Sequence, residues 1–247
     1  MDSTIDIGVD GLPLHVKLFE RESSDSLLIF MPSAVAAGNV AHRHPSFARW
    51  QWESHFPQAH VLAVADPSMG IAQELRGAWY MHRDHDVIAA MAVAIERLIV
   101  RLGARRVVIY GSSLGGFGAL ALAACLPGAV AIAEVPQLDF GKWLQSARTA
   151  VETHILGREL EQHRLLHPEQ VGIRARFEHA SQVPSFVIIS NVRDSGYREQ
   201  LEFFEWVCAG APRDDGTLHE LRLVDQVLGH GPLGVQAAKE LILGRLV

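Results

Sequence analysis

The sequence has few cysteines, no long apolar stretch and no excess of positive charge. Its two cysteines, Cys125 and Cys208, are too few and too far apart for a disulfide framework, so both are expected to be reduced thiols. No stretch reaches the roughly 18 apolar residues of a membrane span. With 28 acidic against 22 basic residues the formal charge is −6, which argues against nucleic acid as a partner. These absences predict a cytoplasmic protein.

The composition is typical of a soluble globular protein, since 49% of the 247 residues are hydrophobic and 20% are charged. Short apolar runs alternate with stretches that have helical spacing. Strands are predicted at residues 26–30, 61–65, 105–110, 130–135, 185–190 and 218–224, and helices at 84–102, 115–126, from 198 onward and 233–246. This alternation predicts an α/β fold with a mostly parallel sheet and helices on both faces. Residues 5–19 predict a hairpin or a pair of edge strands.

Residues 140–182 differ from the rest of the chain because they are polar, favour helix and contain four histidines. They predict an insertion of two or three helices. No internal repeat, linker or low-complexity tract divides the sequence. We therefore expect a single domain over residues 1–247, with 140–182 as a cap insertion. The oligomeric state is open, with a homo-oligomer among the alternatives.

The strongest functional signal is GSSLG at residues 111–115, a G-x-S-x-G pattern between a β-branched strand and a small-residue helix. In this setting the serine lies in a strained turn, and small residues two positions before and after it let the strand and helix approach. Gly111 and Gly115 meet that requirement for Ser113, whereas Ser112 does not fit the glycine frame. Free N–H groups at the helix N-terminus favour developing negative charge. Ser113 is the predicted nucleophile, with a chance turn as the alternative.

A serine hydroxyl needs a base to take its proton, and a carboxylate commonly orients that base. With this motif the acid and the histidine follow the serine in that order, each on a loop after a strand. Asp194 lies four residues beyond the strand at 185–190, and His230 lies between two glycines before the last helix. These positions predict a triad of Ser113, Asp194 and His230. The alternatives are a turn or cap role for Asp194 and a solvated loop position for His230.

Two other acids compete for the orienting role. Asp139 follows the strand at 130–135, one strand too early in the predicted order. Asp225 is closer to His230 in sequence, but it ends the same strand that leads to His230 and would have to fold back upon it. Asp194 is therefore preferred.

An oxyanion hole requires two N–H groups aimed at the oxygen that becomes negative. The amide of Leu114, directly after the nucleophile, is the first predicted donor. The second should come from the loop after the strand at 26–30, where Pro32 has no N–H to give. Ser33 or Ala34 is the candidate, with Ser33 preferred.

The string YGSSLGGFGAL, followed by Asp194 and His230, resembles the α/β-hydrolase superfamily over nearly the whole chain. The α/β-hydrolase fold is therefore expected, together with cleavage of a small-molecule acyl ester and no cofactor. An acyltransferase and a non-catalytic binding module are the alternatives. Residues 46–80 are also similar to bacterial hydrolase-like proteins of surface-polysaccharide and accessory-secretion contexts. That likeness implies an O-acyl or O-acetyl group on a sugar or a secondary metabolite.

Several histidines and aromatic residues carry weaker signals. The histidines lack the spacing of a hydrolytic zinc site, so a solvated or structural role is expected and no metal is predicted. The aromatic residues are expected to pack beside the sheet, with a substrate pocket as the alternative. The residues concerned are His42, Arg43, His44, His82 and His85, and Trp50, Trp52, Trp79 and Tyr80. The insertion at 140–182 lies where α/β-hydrolases carry a cap, with a water-excluding lid and a stabilising helical pair as equal alternatives.

Overall fold

The computed structural model describes residues 2–35, 44–210 and 216–246. The strands are β1 (Asp2–Asp6), β2 (Pro13–Phe19), β3 (Ser26–Phe30), β4 (His60–Val64), β5 (Arg106–Ser112), β6 (Val130–Glu134), β7 (Ser185–Asn191) and β8 (His219–Val224). They form one sheet in the order β1-β2-β4-β3-β5-β6-β7-β8. The β1–β2 and β2–β4 pairs are antiparallel and every other pair is parallel. The predicted mostly parallel sheet is confirmed, and residues 5–19 contribute to its antiparallel edge.

Helices cover both faces of this sheet. The α-helices are α1 (Val87–Leu102), α2 (Leu114–Ala123), α3 (Gln145–Val151), α4 (Leu160–Leu166), α5 (Pro168–Val171), α6 (Ile173–Ala180), α7 (Tyr197–Cys208) and α8 (Val235–Leu246). Leu27 and Ile29 of β3 join the apolar core that includes α1 and α2, whereas Leu28 and Phe30 join a second core against α8. Because both faces are covered, the central strands are continuous apolar runs rather than alternating ones.

The helix boundaries follow local chemistry. The side chain of Asp86 accepts the amide of Ala89 at the start of α1, and Gly103 ends α1 in the left-handed conformation, as its position predicted. Among the described residues, no helix is both long and apolar enough to cross a membrane. Cys125 and Cys208 are both free thiols.

The segment 140–182 is more broken than the two or three helices that its composition predicts. It contains α3, α4, α5 and α6, together with a 3₁₀ turn at Phe140–Lys142 and a π-helical turn at Glu152–Leu156. Gly157 ends the π-helical turn in the left-handed conformation, Pro168 starts α5, and Gly172 separates α5 from α6. Since glycine and proline interrupt helices locally, the number of breaks sets the number of helices. That the segment caps an active site stays a prediction.

Candidate active site

Ser113 occupies the sharp turn between β5 and α2. Its backbone angles are φ 56° and ψ −120°, a conformation that L-residues rarely adopt. A Cβ atom on Gly111 would collide with the backbone of Gly115, and one on Gly115 would lie 2.8 Å from the carbonyl oxygen of Pro32. The glycine frame is therefore a steric requirement of this turn, as the motif predicts.

The structure brings Ser113, His230 and Asp194 into one hydrogen-bonded chain. The hydroxyl Oγ of Ser113 lies 2.8 Å from Nε2 of His230, and Nδ1 of His230 lies 2.6 Å from Oδ2 of Asp194. The side chain of Asp194 is 1% exposed and that of His230 is 34% exposed. Oδ1 of Asp194 accepts the amide of Gly196 at 2.6 Å. The carboxylate is thus buried and held, while the imidazole stays accessible from outside.

Asn191, at the end of β7, ties together the two loops that carry the acid and the histidine. Its Nδ2 donates to the carbonyl oxygens of Gln226 and Leu228 at 3.0 and 3.2 Å, and its Oδ1 accepts the amide of Arg193 at 3.1 Å. The side chain is fully buried. Sequence reasoning missed this residue, although its place at the carboxyl end of a parallel strand was a usable signal.

Asp139 and Asp225, the two other candidates for the orienting acid, have other partners. Both oxygens of Asp139 accept hydrogen bonds from Arg164, at 2.8 and 3.1 Å, and Oδ1 also accepts the amide of Gly141. Asp225 forms an ion pair with Arg193 at the surface. The geometry favours Asp194 as the partner of His230.

The two candidate oxyanion donors lie on adjoining backbone segments. Leu114 is the first residue of α2, where amide groups have no partner within the helix. The hydroxyl of Ser33 donates to the carbonyl oxygen of Ser112 at 3.1 Å, which fixes its loop against the nucleophile turn. Ser33 and Leu114 line the same small cavity. Ala34 lines the neighbouring cavity beside Trp79, so the preference for Ser33 stays a prediction.

Gln137 is a site residue that sequence reasoning missed. It follows the end of β6 and is 5% exposed. Its Nε2 donates to the Oγ of Ser113 at 2.9 Å, and its Oε1 accepts Nε1 of Trp79, also at 2.9 Å. Trp79 is thus buried and hydrogen-bonded beside Ser113, while its place in a substrate pocket stays a prediction.

A largely buried arginine, with its side chain 10% exposed, supports the turn from behind. Arg49 donates from Nη2 to the Oγ of Ser112 at 2.8 Å and lies 3.6 Å from Glu134. Its guanidinium lies over the rings of both Trp52 and Tyr110, at 5.3 and 5.2 Å from their centroids. Burial raises the pKa of Glu134, and the charge of Arg49 opposes that shift. The Arg49–Glu134 pair favours a fixed position of Ser112, next to Ser113.

Glu134 also reaches the loop that carries the histidine. Its Oε1 accepts the amide of Leu233 at 3.0 Å, three residues beyond His230. Glu134 lies at the end of β6, beside Ser112 of β5 in the sheet register. Its backbone oxygen accepts the amide of Ser113 at 2.9 Å, so Glu134 contacts both the turn that carries Ser113 and the loop that carries His230.

Asp66 holds the strained segment that contains Trp79. Its Oδ2 accepts the amide of Tyr80 at 3.1 Å and its Oδ1 accepts the amide of Ser68 at 3.0 Å. Trp79 and Tyr80 both have positive φ, at 50° and 56°. Burial of Asp66 raises its pKa from 3.8 to about 7, because the hydrogen bonds from backbone N–H groups offset only part of the desolvation.

The substitution Asp66→Asn is expected to change how stability depends on pH. Between pH 3.8 and about 7 the folded state keeps the Asp66 proton and the unfolded state has lost it. In that window each unit of rising pH lowers the free energy of unfolding by about 1.4 kcal/mol through this group. Urea unfolding of both proteins between about pH 4.5 and 6.5 measures the effect. The wild type should lose stability relative to Asp66→Asn as pH rises, and a constant difference would contradict the assignment.

Two cavities open on either side of Trp143, whose ring lies 5.3 Å from that of His230. One of about 250 Å³ is lined largely by apolar and small side chains, including Trp79, Leu144 and Ala147, together with Glu74 and Arg76. The other, of about 350 Å³, is lined by His230 and by charged side chains: Asp139, Lys142, Arg198, Glu199 and Glu202. The second cavity therefore has the more charged lining, and of these two it is the one that His230 lines.

Two of the histidines that carried a weaker signal, His82 and His85, lie beside Asp10, and one potential ligand atom from each of the three residues lies within 4.8 Å of the others. His42 and Arg43 lie outside the described residues. His82 and His85 both contact the carboxylate of Asp10, at 3.5 and 3.2 Å. Nδ1 of His82 accepts the amide of Asp84 at 3.2 Å, so its proton belongs on Nε2, which faces Asp10. That tautomer turns an N–H rather than a lone pair toward Asp10 and favours a hydrogen-bonding role over a metal site.

The remaining aromatic candidates differ in burial. Trp52 lies against Phe30 and Tyr110 in the core on the α8 side of the sheet. Tyr80 is buried at 1% exposure. These two residues agree with the packing interpretation. Trp50 is exposed, with the ammonium of Lys17 over its ring.

No protein-family model and no curated protein matches this sequence. Solved structures do match its fold. The capsule O-acetyltransferase of Neisseria meningitidis serogroup A superposes with a TM-score of 0.68 at 15% identity, over 96% of this chain and 95% of that one. The chain adopts the α/β-hydrolase fold.

Two further α/β-hydrolase structures extend the comparison. FphF, a fluorophosphonate-binding serine hydrolase of Staphylococcus aureus, has a TM-score of 0.62 at 13% identity, over 100% of this chain and 98% of that one. Esterase Est2 of Thermogutta terrifontis has a TM-score of 0.58 at 15% identity, over 98% of this chain and 90% of that one. The α/β-hydrolase fold was predicted from the motif and its setting, and it is confirmed.

Proposed function

We propose that this protein is a serine hydrolase that cleaves a carboxylic ester through an acyl-enzyme. The observation that carries the proposal is the continuous hydrogen-bonded chain from Ser113 through His230 to Asp194, with distances of 2.8 and 2.6 Å. Nucleophile, base and orienting acid within hydrogen-bond reach are the arrangement that acyl transfer to serine requires. A serine hydrolase and an esterase among the structural neighbours support the same chemistry.

The reaction follows from this geometry. The Oγ of Ser113 attacks the ester carbonyl carbon while its proton passes to Nε2 of His230, and Asp194 stabilises the imidazolium that forms. The amides of Leu114 and Ser33 hold the oxygen that becomes negative. Collapse of the intermediate breaks the ester C–O bond, and the leaving alcohol takes the proton from Nε2. Water then repeats the attack on the acyl-enzyme and releases the acid.

We propose that the two cavities receive the two parts of the ester. The apolar cavity includes Ala34, on the loop that bears the oxyanion donor, so it suits the acyl group. Its volume of about 250 Å³ favours a short or medium chain. The charged cavity is lined by His230, which must reach the leaving oxygen. We therefore assign a polar, hydroxyl-bearing alcohol to that side.

Acyl transfer is the second candidate, and two observations favour it. The charged cavity beside His230 could seat an alcohol in place of water. A neighbour of the same fold is a capsule O-acetyltransferase, one structure of which is in complex with CoA. The acyl-enzyme is the same in both reactions, and only the acceptor that His230 deprotonates differs. Product analysis with an acetyl ester separates the two reactions. Hydrolysis releases acetate with or without an added polyol, whereas acyl transfer gives an acetylated polyol when the polyol is present.

Covalent labelling tests the proposal directly. A fluorophosphonate is expected to add one equivalent to the wild-type protein, because Ser113 attacks the phosphorus with His230 as base. Intact mass measures the adduct, and peptide mass spectrometry locates it. The variant Ser112→Ala is the matched control and should still take up one equivalent, because it keeps Ser113 and His230. A folded wild type that takes up no label, and hydrolyses no p-nitrophenyl ester, would support the binding-module alternative.

A further inference from the structure

The side-chain amide of Gln137 has one orientation available to it. The indole Nε1 of Trp79 can only donate, and it lies 2.9 Å from the Oε1 of Gln137. The amide oxygen must therefore face Trp79, which turns the NH₂ group toward the Oγ of Ser113 at 2.9 Å. Gln137 and Trp79 are 5% and 2% exposed, so water does not compete for these bonds.

This orientation also sets the direction of the serine proton. The Oγ of Ser113 accepts from Gln137 on one side and faces Nε2 of His230 on the other. A hydroxyl has a single hydrogen, and the NH₂ of Gln137 cannot accept it. The hydrogen is therefore directed at His230, the group that must receive it.

The backbone that carries this amide is strained. Val135, two residues before Gln137, has φ 35°, a severe outlier for a β-branched residue, and Trp79 has φ 50°. Hydrogen bonds hold the first bend, from the amide of Val135 to Ile189 at 2.8 Å and from the side chain of Gln200 to Pro136 at 3.1 Å. Strain of this kind persists only where the surroundings fix it, and it concentrates at functional sites.

We infer that Gln137 is a further catalytic residue, which directs the Ser113 proton to His230 and stabilises the charge on Oγ as that proton leaves; Trp79 is its positioning residue. The inference rests on the proposed function. In the step concerned, the O–H bond of Ser113 breaks, its proton goes to Nε2, and an electron pair on Oγ forms the bond to the carbonyl carbon. The carbonyl π pair moves to the carbonyl oxygen. Gln137 keeps its protons throughout.

Three variants test the inference by their rates of fluorophosphonate labelling and of p-nitrophenyl acetate hydrolysis. Gln137→Leu removes the donor and should lower kcat and the labelling rate by about 100-fold with little change in KM. Trp79→Phe frees the side-chain amide of Gln137 to rotate and should lower both rates, but by less than Gln137→Leu does. Adding Trp79→Phe to Gln137→Leu should cause no further loss, because the two act through one bond. Gln170→Leu, which removes another buried amide that is bonded to His82, His85 and His163, is the control for stability.

Gln137→Glu separates a chemical role from a structural one. At neutral pH its carboxylate accepts the Ser113 hydrogen and competes with His230, whereas the protonated acid can again donate. The labelling rate of Gln137→Glu, divided by that of the wild type at the same pH, should therefore rise as pH falls. A folded Gln137→Leu variant that is labelled at the wild-type rate, or a Gln137→Glu variant whose relative rate is independent of pH, would overturn the inference. An unlabelled wild type would instead remove the proposed function on which it rests.

Discussion

Replacing Ser113 by alanine is expected to lower kcat for p-nitrophenyl acetate by about 10⁴- to 10⁶-fold and to abolish fluorophosphonate labelling. The residue supplies the atom that forms the covalent bond, and without it His230 and Asp194 have no nucleophile to activate. Residual turnover would come from oxyanion stabilisation and binding alone. Acylation of Ser113 should release a first, fast equivalent of p-nitrophenol, the burst, which stopped-flow absorbance measures. In Ser113→Ala the burst should disappear together with the steady-state rate.

The Ser113→Ala experiment has a close internal control. Ser112 lies one position earlier, with its Oγ 2.8 Å from Arg49 rather than near the imidazole. Ser112→Ala should keep the burst, and its thermal unfolding reports any damage to the turn. Equal ester hydrolysis by the wild type and Ser113→Ala would show that another group, or none, carries the reaction.

Asp194→Asn is expected to lower kcat by about 10⁴-fold while the protein stays folded. The amide of Gly196 donates to Oδ1 at 2.6 Å, so an asparagine here must keep its oxygen on that side. Its NH₂ would then face Nδ1 of His230, in the place of the oxygen that now lies 2.6 Å away. Nδ1 would have to accept, the proton would move to Nε2, and Nε2 could no longer take the hydrogen of Ser113.

Asp225→Asn is the matched control for this substitution. Asp225 is the other acid near His230 in sequence, and its partner is Arg193. Steady-state kinetics should show wild-type kcat for Asp225→Asn and the large loss only for Asp194→Asn. The reverse result would transfer the orienting role to Asp225.

The fold and the proposed triad were accessible from the sequence because they depend on local rules. Buried strands appear as apolar runs, and residues 111–115 must contain glycine at both ends for the turn to form. The parallel sheet brings the loops after neighbouring strands to one edge, which allows the three side chains to meet. Their order, Ser113, Asp194 and His230, came from the resemblance to the α/β-hydrolases.

Other parts of the site depend on contacts that no local pattern encodes. Gln137 follows β6 among ordinary turn residues, and only the approach of Trp79, 58 positions away, gives its amide a direction. Arg49 stands in a stretch without clear periodicity, and its role appears only when β5 and β6 place Ser112 beside Glu134. The residue type alone does not reveal the role of a glutamine or an arginine, because that role depends on the partner it contacts in the fold.

Five non-glycine residues in or beside the site have a positive φ: Arg49, Trp79, Tyr80, Ser113 and Val135. Each such residue costs roughly 1–3 kcal/mol of folding free energy. At Ser113 the side chain is small, so screening for heat resistance alone would favour glycine there, whereas selection for turnover would retain the serine. At Trp79 and Tyr80 the buried rings stabilise the fold by more than the strain costs, and they should be retained in both cases. In a lineage that no longer uses the activity, we therefore expect position 113 to change first.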